Sequence, residues 1–534
     1  MTDFLPGGAP RLTRLCDFVR YYADVAPSRE AVVFGETRLD YAAFDGAIDR
    51  CARALQAAGV RPGDRIAMLT TPRPEFAVVL MATQRIGGIW VGLNTRYRLP
   101  ELRHIVDDCA PTVLISVCRT PEGRLFEADL EAIAADARGL KAVVTLPEST
   151  PRVGQSFEDF LSAGDGHDLA PAAAGPDDPT VIVYTSGTTG RPKGALLAHR
   201  NLIYCYEQVS RSFAGKEQLR DGLRILCNLP PNHIGCISEM LGNAIIRGGA
   251  VVFAEQFDPA GAFDLIARER ITLFGGVPVM LEAMFADPAF ANADLSSVKA
   301  IGWGGAPAAR DLVRRMKELG VHLFTNYGLT EGGAVVSATG PDDDIDDLAE
   351  TVGHPDSSGD RRIVDDEGRD AAYGQTGEIW LKGPGVFLGY WNNPAATGVA
   401  MAPGGWLRTG DIAQARADGA WVLSGRKADM FKSGGFNVYP REIELVLEEH
   451  PDIAYAAVIA IADPRYFEVG AAFIAAKPGR SPAPTEIDAF LRGRLANYKV
   501  PKTIQVRSAL PMLPIGKVDK HALRGELKTN EDGQ

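Results

Sequence analysis

A glycine- and hydroxyl-rich segment, VIVYTSGTTGRPKG at residues 181–194, has the composition of an anion-binding loop. It begins with β-branched residues typical of a buried strand, and bulky side chains are then absent at Ser186, Gly187 and Gly190. Glycine lets backbone N–H groups approach an anion closely, while hydroxyl groups and a lysine add donors and positive charge. These residue types predict a loop that binds a polyphosphate. The candidate ligands are Thr185, Ser186, Gly187, Thr188, Thr189, Gly190 and Lys193.

The segment does not have the spacing of a Walker phosphate loop. In a Walker loop the lysine follows a glycine and precedes a serine or threonine, whereas Lys193 follows Pro192 and precedes Gly194. Taken alone, the segment is also compatible with an ordinary surface turn rich in Ser, Thr and Gly. Motifs elsewhere in the chain are needed to decide between the two.

The composition is that of a globular protein with more than one domain. The chain has 534 residues, of which 46% are hydrophobic and 23% charged. A formal net charge of −12 argues against a nucleic-acid partner, because there is no basic excess to neutralise phosphates over a wide surface. Any phosphate ligand must therefore be bound locally.

The cysteines, histidines and termini exclude several other classes. The seven cysteines are odd in number and contain no C-x-x-C pair, which predicts a reduced, cytoplasmic protein. The eight histidines show no HExxH or similar spacing, so a zinc site is not expected. The N-terminus lacks the pattern of a signal peptide, and Gln84 and Arg85 interrupt the most apolar stretch. We therefore expect no membrane span.

Helical and strand patterns alternate from residue 40 to about residue 340, as in a doubly wound α/β sheet. After about Pro341 an acidic, turn-rich run leads into short strands, and after Arg426 the pattern becomes α+β. The sequence predicts an N-terminal domain, 1–427, of two doubly wound α/β subdomains plus a small β subdomain. A small α+β C-terminal domain, 428–534, follows it.

Five motifs in order carry a family resemblance. They are YTSGTTGRPKG (184–194), NYGLTE (326–331), TGD (409–411), GRKADMFKSGGFNVYPREIE (425–444) and LPIGKVDK (513–520). Together they resemble the core motifs of the adenylate-forming superfamily, which includes acyl-CoA synthetases, aryl-CoA ligases, luciferases and peptide-synthetase adenylation domains. The resemblance covers essentially the whole chain, and it favours the phosphate loop over the surface turn.

The resemblance implies a first step in which a carboxylate attacks the α-phosphate of ATP. Because both groups are anions, cations and donors must converge on the reacting atoms. By resemblance, Lys517 is the catalytic lysine that bridges the carboxylate and the α-phosphate, Thr330 contacts the phosphate and Glu331 binds Mg²⁺. Asp411 binds the ribose, with Arg426 at the ribose or phosphate, and Tyr327 stacks on adenine. The remaining expected nucleotide contacts are Gly305, Ala306, Pro307, Asn326 and Gly328.

The resemblance also implies a second step, in which a thiol attacks the acyl-AMP after the C-terminal domain rotates. The rotation withdraws the lysine and presents a loop that forms a tunnel for the pantetheine arm of coenzyme A. The tunnel residues are expected to be Lys432, Ser433, Gly434 and Gly435. The hinge falls at Ala428, where the family more often has Asp or Lys, so no side-chain ion pair can form there to hold either orientation.

The acyl pocket is expected around two segments. His233 matches a position that closes the carboxylate end of the pocket in the family, and it is counted among the catalytic residues. The expected wall consists of Ser238, Trp303, Gly304, Gly333 and Val335. No Arg or Lys falls at these positions, which favours an uncharged acyl tail over a dicarboxylate.

The sequence thus predicts an ATP- and Mg²⁺-dependent carboxylic acid:CoA ligase that releases AMP and pyrophosphate. The expected acid is medium- or long-chain fatty, alicyclic or arylpropenoic. Three alternatives stay open: an adenylation enzyme that loads a carrier-protein phosphopantetheine, a non-catalytic acyl-nucleotide binding protein, and a luciferase-like oxygenase on the same fold. The expected partners are the acid, ATP and CoA, with a homodimer as an option and a cytoplasmic location.

Overall fold

The computed structural model describes residues 5, 10–146, 153–185, 191–212, 222–355, 359–513 and 518–531. Its α-helices are α1 Leu15–Val25, α2 Tyr41–Ala57, α3 Pro74–Arg85, α4 Leu99–Cys109, α5 Glu127–Asp136, α6 Phe157–Ser162, α7 His199–Ser212, α8 Asn243–Ile246, α9 Pro259–Arg268, α10 Pro278–Ala286, α11 Arg310–Lys317, α12 Ile345–Glu350, α13 Pro394–Ala400, α14 Pro440–Glu448, α15 Pro484–Arg492 and α16 Lys520–Glu531. Short 3₁₀ turns span Pro288–Asn292, Thr330–Gly332 and Lys427–Asp429, and a π-helix spans Gly235–Gly242.

The strands are β1 Glu30–Phe34, β2 Thr37–Asp40, β3 Arg65–Leu69, β4 Ile89–Leu93, β5 Val113–Ser116, β6 Ala142–Thr145, β7 Gln155–Ser156, β8 Pro179–Thr185, β9 Lys193–Ala198, β10 Arg224–Cys227, β11 Ala250–Phe253, β12 Leu273–Gly276, β13 Ala300–Gly304, β14 His322–Tyr327, β15 Ser337–Ala338, β16 His354–Pro355, β17 Asp360–Val364, β18 Thr376–Lys382, β19 Gly389–Tyr390, β20 Met401–Ala402, β21 Trp406–Ala415, β22 Trp421–Arg426, β23 Phe431–Ser433, β24 Phe436–Val438, β25 Ile453–Asp463, β26 Phe467–Ala476 and β27 Thr503–Arg507.

Two mostly parallel sheets form the larger part of the protein. Sheet A has the order β19-β9-β8-β4-β3-β5-β6-β7 and is parallel from β8 to β7. Sheet B has the order β16-β15-β14-β13-β12-β10-β11-β1-β2 and is parallel from β14 to β1. Strands such as β4 and β5 are buried throughout, as expected for parallel strands covered on both faces. The predicted pair of doubly wound α/β subdomains is confirmed.

Helix α2 illustrates why the alternation could be read from sequence. Apolar residues recur at three- and four-residue spacing, which places them on one helix face. Asp40 precedes the helix and accepts a hydrogen bond from the backbone N–H of Ala43 at 2.8 Å, which caps the helix. The predicted apolar face is buried in the core, and its members are Tyr41, Phe44, Ile48, Cys51 and Leu55.

The two faces of sheet B pack against different helices. Side chains alternate along each strand, so neighbouring residues enter different hydrophobic clusters. One face packs against α7 and the π-helix and carries Val32, Ile225, Val251, Leu273, Ala300 and Phe324. The other packs against α9, α10 and α11 and carries Val33, Leu226, Val252, Phe274, Ile301 and Leu323. We call these the α7 face and the α9 face.

Two smaller sheets follow along the chain. Sheet C is antiparallel, with β18 and β21 at its centre and β17, β20 and β22 beside them. Sheet D has the order β24-β23-β26-β25 with β27 parallel to β26, and helices α14, α15 and α16 accompany it. Sheet D has its own hydrophobic clusters, which include Ile443, Ile474 and Ile487. The predicted β subdomain and C-terminal α+β region are confirmed.

One predicted helix differs in its hydrogen bonding. The pattern GCISEMLGNAIIRG predicts a helix, and the structure has the π-helix in its first part and α8 in its second. A π-helix is rare and is found frequently at functional sites, because it shifts side chains relative to regular helical spacing.

Candidate active site

The candidate site lies where three sheets meet. Strands β13 and β14 are adjacent and parallel, so Gly304 and Tyr327 end at the same edge of sheet B. The exposed segment 305–307 follows β13 at this edge. Sheet A contributes Thr185 at the end of β8, and sheet C contributes Asp411 on β21. Carboxyl ends of parallel strands are the usual location of ligand sites in such sheets.

Asp411 is held between a tyrosine and an arginine. The Tyr327 hydroxyl donates to Asp411 Oδ2 at 2.7 Å, and Arg426 Nε donates to Asp411 Oδ1 at 3.1 Å. Asp411 and Arg426 face each other in the register of β21 and β22. Tyr327 and Asp411 are 6% and 7% exposed, and burial, with the Asp411 charge, raises the pKa of Tyr327 well above its usual value. Tyr327 therefore remains a donor at neutral pH.

Glu331 is held beside the predicted phosphate loop. Its Oε1 accepts hydrogen bonds from the Tyr390 hydroxyl at 2.8 Å and from Thr185 Oγ1 at 3.4 Å. The ammonium group of Lys193 lies 5.0 Å from the centre of the Tyr390 ring, within the range of a cation–π contact. Burial, with the Glu331 charge, raises the pKa of Tyr390. The Glu331 carboxylate, the hydroxyl groups of Tyr390 and Thr185 and the Lys193 ammonium group thus lie close together at the start and end of the predicted phosphate loop.

The surroundings of Glu331 fit a Mg²⁺ ion that arrives with a polyphosphate. Glu331 forms no close ion pair with any described residue, and Arg426 interacts with its charge only from a greater distance. No group of three or more His, Cys, Asp or Glu side chains that could hold a metal occurs in the described parts of the chain. Mg²⁺ commonly binds through one or two carboxylates, water and substrate phosphates, and a single carboxylate beside the loop meets that need.

The turn after Tyr327 requires a glycine. A Cβ atom on Gly328 would lie 1.3 Å from the carbonyl oxygen of Ala334, so no other residue fits there. Thr330 follows in the 3₁₀ turn and is buried, 7% exposed. The close backbone approach brings the 328–331 segment against the 333–335 segment. Thr330, the predicted phosphate contact, is therefore held next to Gly333 and Val335 of the predicted pocket wall.

The α7 face of sheet B provides most of the predicted acyl wall. Gly304 lies on this face, and a Cβ atom there would lie 2.8 Å from Asn326 Oδ1. Gly302, two residues earlier, is on the same face, where a Cβ atom would lie 2.2 Å from the Phe324 ring. Ser238 on the π-helix and Val335 are each 1% exposed. Because positions 302 and 304 are glycine, the side chains of Phe324 and Asn326 can pack directly against the β13 backbone.

Trp303 does not lie in this wall. Strand alternation directs its side chain to the α9 face, where it is buried in the hydrophobic cluster with Phe274, Phe285 and Leu312. The expectation that it lines the acyl pocket together with Gly304 is therefore corrected. Adjacent residues of one strand cannot face the same side of a sheet.

His233 lies just before the π-helix. The backbone N–H of Gly235 donates to His233 Nδ1 at 3.2 Å, which makes Nδ1 an acceptor and leaves the proton of a neutral ring on Nε2. Gly333 adopts a positive φ of 77° at the end of the 3₁₀ turn, and a Cβ atom there would lie 2.7 Å from the carbonyl oxygen of Gly385.

The expected coenzyme A residues form a turn in sheet D. Lys432 and Ser433 end β23, and Gly434 and Gly435 connect it to β24 with positive φ angles of 57° and 91°. The N–H of Gly434 donates to the carbonyl of Tyr466 at 3.0 Å, within the C-terminal region. Ala428, the predicted hinge, is exposed in the 3₁₀ turn Lys427–Asp429.

Side chains from sheet D also reach the larger sheets. The Tyr455 hydroxyl on β25 donates to Glu282 Oε2 on α10 at 2.7 Å. Lys427 Nζ lies 3.1 Å from Glu378 Oε2, and Glu378 Oε1 accepts from the N–H of Gly410. The Tyr455–Glu282 bond joins the C-terminal region to α10, whereas Lys427 lies just before Ala428 and joins the turn there to sheet C.

Several predicted site residues lie outside the described residues: Ser186, Gly187, Thr188, Thr189, Gly190 and Lys517. Their roles stay predictions. The site contains two further residues that the sequence motifs do not predict. Tyr390 donates a hydrogen bond to Glu331, and Glu239 accepts one from Asn326. Tyr390 is 59 residues from Glu331 in sequence, and Glu239 lies in an apolar helical pattern, so neither has a local motif.

Comparison with known proteins places the chain in a family. Residues 19–391 match the AMP-binding enzyme family, and residues 442–517 match the AMP-binding enzyme C-terminal domain. The chain is 37% identical to the indoleacetate–CoA ligase of Aromatoleum aromaticum over 96% of this chain and 97% of that protein. It is 36% identical to a feruloyl-CoA synthase of an Amycolatopsis species over 95% and 96%. The chain therefore belongs to the family of AMP-binding enzymes.

A solved structure gives the same architecture. The crystal structure of ATP-bound MatB from Rhodopseudomonas palustris aligns with a TM-score of 0.85 at 28% identity, over 96% of this chain and 99% of that one. The resemblance to the adenylate-forming superfamily is thus confirmed, as is the fold class. Among the described helices, none is both long and apolar enough to cross a bilayer.

Proposed function

We propose that this protein is an ATP-dependent carboxylic acid:CoA ligase that forms an acyl-AMP and then an acyl-CoA thioester. The observation that carries the proposal is the contact between Thr185 and Glu331, 3.4 Å apart although 146 residues separate them. It puts a carboxylate suited to Mg²⁺ next to the polyphosphate loop. The relatives named above, one an indoleacetate and one a feruloyl ligase, support CoA as the acceptor.

In the first step an oxygen of the substrate carboxylate attacks the α-phosphorus of ATP, and the bond to pyrophosphate breaks. Lys193 and the loop hydroxyls bind the phosphates that leave, and Lys517 offsets the charges of the carboxylate and the α-phosphate. Glu331 would hold Mg²⁺, which neutralises phosphate charge when bound. Asp411 accepts hydrogen bonds from the ribose, and Arg426 and Tyr327 fix the orientation of its carboxylate.

In the second step the thiol sulfur of CoA attacks the acyl carbonyl carbon, the bond to AMP breaks, and the thiol proton passes to solvent. The C-terminal domain would rotate about a hinge at Ala428. The rotation would bring the turn formed by residues 432–435 into contact with the pantetheine arm of CoA. The proposal therefore divides the chain into an N-terminal domain, 1–427, and a C-terminal lid domain, 428–534. Sheet D and its separate hydrophobic clusters support this division.

The acid is proposed to be medium- or long-chain fatty, alicyclic or arylpropenoic. No Lys or Arg stands at the predicted wall positions Ser238, Gly304, Gly333 and Val335, which supports an uncharged acyl tail. The proposal includes a cytoplasmic location, which the seven free, buried cysteines support. It also includes a homodimer, to be checked by light scattering of the purified protein.

The test is a pyrophosphate-release screen over fatty, bile-type, cyclohexyl, benzoic and cinnamic acids with ATP, Mg²⁺ and CoA. We expect pyrophosphate release to require an acid, and mass spectrometry to detect AMP and the CoA thioester in equal amounts. Release of ADP would contradict the proposal. Acid-dependent ATP–pyrophosphate exchange with no CoA thioester would favour loading of a carrier protein instead.

A further inference from the structure

Glu239 places a carboxylate on the π-helix that packs against the α7 face. It lies in the π-helix between Ser238 and Met240, which are both buried. Its Oε2 accepts a hydrogen bond from Asn326 Nδ2 at 3.0 Å. Asn326 Oδ1 in turn lies beside Gly304, where a Cβ atom would be only 2.8 Å away. The Asn326 amide therefore lies between this carboxylate oxygen and Gly304 at the edge of sheet B.

The other end of this carboxylate points toward the segment of His233. Glu239 Oε1 would lie 3.4 Å from a Cβ atom on Gly235, and the same Cβ atom would lie 3.3 Å from His233 Nδ1. Because residue 235 is glycine, space remains between the imidazole and the carboxylate. Glu239 is thus located between the predicted carboxylate end of the acyl pocket and the predicted nucleotide edge.

The fold itself gives this carboxylate little stabilisation. Among the described residues Asn326 is the only hydrogen-bond donor to it, and no described Lys, Arg or His forms an ion pair with it. Burial raises the pKa of Glu239 above its usual value. A carboxylate can accept about four hydrogen bonds, so one amide donor leaves most of its acceptor capacity unused. A partly buried charge in this state is costly unless a ligand supplies further donors.

We propose that Glu239 selects acids whose tail carries an N–H or O–H donor, such as an indole nitrogen or a phenol, and rejects acids with a second carboxylate. This inference rests on the proposed function, since it concerns the acid that the ligase accepts. A tail with a donor completes the hydrogen bonding of Glu239. A plain alkyl tail leaves Asn326 as the only described donor to the carboxylate, and a second carboxylate is repelled by it.

The test compares acids that differ only in the donor. Indole-3-acetic acid and 1-benzofuran-3-acetic acid have nearly the same shape, but the second has an ether oxygen in place of the N–H group. We expect the wild-type enzyme to prefer the indole by about 10- to 100-fold in kcat/KM, measured by pyrophosphate release with CoA present. A ratio within twofold would overturn the inference.

Two substitutions assign the preference to this residue. Glu239→Leu removes the acceptor, and we expect the ratio to fall to about threefold or less because the benzofuran acid gains activity while the indole acid loses it. Glu239→Gln keeps one acceptor oxygen, so an intermediate ratio is expected. Glu318→Leu makes the same chemical change on an exposed part of the surface and should leave the ratio as in the wild type.

The outcomes separate the inference from the proposed function. Thioester formation with an unchanged indole preference in Glu239→Leu overturns the role of Glu239 and leaves the ligase assignment in place. No thioester with any acid overturns both. Melting temperature and AMP binding by calorimetry establish that Glu239→Leu is folded. If it is not, the ratio for Glu239→Gln decides, and a value equal to that of the wild type counts against the inference.

Discussion

The hydroxyl of Tyr327 donates to Asp411 across the junction of sheets B and C, at 2.7 Å. Arg426 occupies the other oxygen of the same carboxylate. The two contacts fix the position of the Asp411 carboxylate before any nucleotide binds. A carboxylate that is already oriented loses little conformational freedom when it accepts a sugar hydroxyl.

Replacement of Asp411 is expected to weaken nucleotide binding. Asp411→Asn keeps the shape of the side chain but removes the charge that balances Arg426, and we expect the KM for ATP to rise by about 10- to 100-fold. Tyr327→Phe leaves the carboxylate in place and removes one orienting bond, so a rise of a few-fold is expected. Initial-rate measurements at saturating acid and CoA test both variants. A larger effect for Tyr327→Phe than for Asp411→Asn would contradict the assignment.

Glu331 and Tyr390 offer a second matched pair of substitutions. Glu331→Gln removes the only carboxylate next to Thr185 among the described residues, and we expect the Mg²⁺ concentration for half-maximal rate to rise about tenfold. Tyr390→Phe removes only the hydroxyl that orients Glu331, so a smaller shift of about two- to threefold is expected. Magnesium titrations at fixed ATP distinguish the two. An unchanged Mg²⁺ requirement in Glu331→Gln would remove this residue from the metal site.

The fold could be predicted from sequence because its signals are local. Three- and four-residue spacing predicts α2, and β-branched runs predict β8 and β11, since each pattern depends on a few consecutive residues. Asp411 and Arg426 were likewise selected from short motifs. The α/β alternation then follows from the order of these elements.

The parts of the site that could not be predicted depend on contacts distant in sequence. Tyr390 reaches Glu331, and Glu239 reaches Asn326 across 87 residues, by way of sheet packing that no local pattern encodes. Trp303 is a different case, because strand alternation alone places it opposite Gly304. The alternation of side chains along β13 is therefore sufficient to place Trp303 on the α9 face.

Lys517 lies outside the described residues, so its role rests on the motif LPIGKVDK. We expect Lys517→Ala to slow adenylation by about 100-fold or more, because the variant lacks the cation that we propose bridges the carboxylate and the α-phosphate. Thiolysis of a preformed acyl-AMP should be largely retained, since that step does not use the lysine. Single-turnover measurements of each half-reaction provide the test. Adenylation close to the wild-type rate would show that this lysine is not catalytic.

Gly304 is expected to set the width of the acyl pocket. In Gly304→Ala the new methyl group would meet Asn326 Oδ1, so Asn326 must shift and the pocket narrows. We expect kcat/KM to fall about tenfold for a bulky aromatic acid and much less for a short linear acid. Gly398→Ala is a suitable control, because a Cβ atom there meets nothing within 4 Å. Equal losses for both acids would show that the substitution acts on the fold and not on the pocket.

His199 is expected to make the stability of the protein depend on pH. It begins α7, is 1% exposed and has no described partner for Nδ1. Burial, with the nearby Arg14, lowers its pKa from 6.5 to about 4. Between pH 6.5 and about pH 4, His199 therefore binds a proton in the unfolded chain but not in the folded protein. The contribution of the neutral histidine is fully present above pH 6.5 and is lost as the pH falls toward 4.

The size of this contribution follows from the shift, which corresponds to about 3 kcal/mol. The glutamine of His199→Gln cannot be protonated. We therefore expect the free energy of unfolding, measured by urea titration, to fall less between pH 7 and pH 5 in this variant than in the wild type. His167→Gln changes an exposed histidine and should keep the wild-type dependence. The His199→Gln protein is expected to be less stable than the wild type at pH 7, because glutamine packs differently from histidine. The informative quantity is therefore the change in its free energy of unfolding between pH 7 and pH 5. If that change is the same in His199→Gln and the wild type, the acid sensitivity comes from other groups.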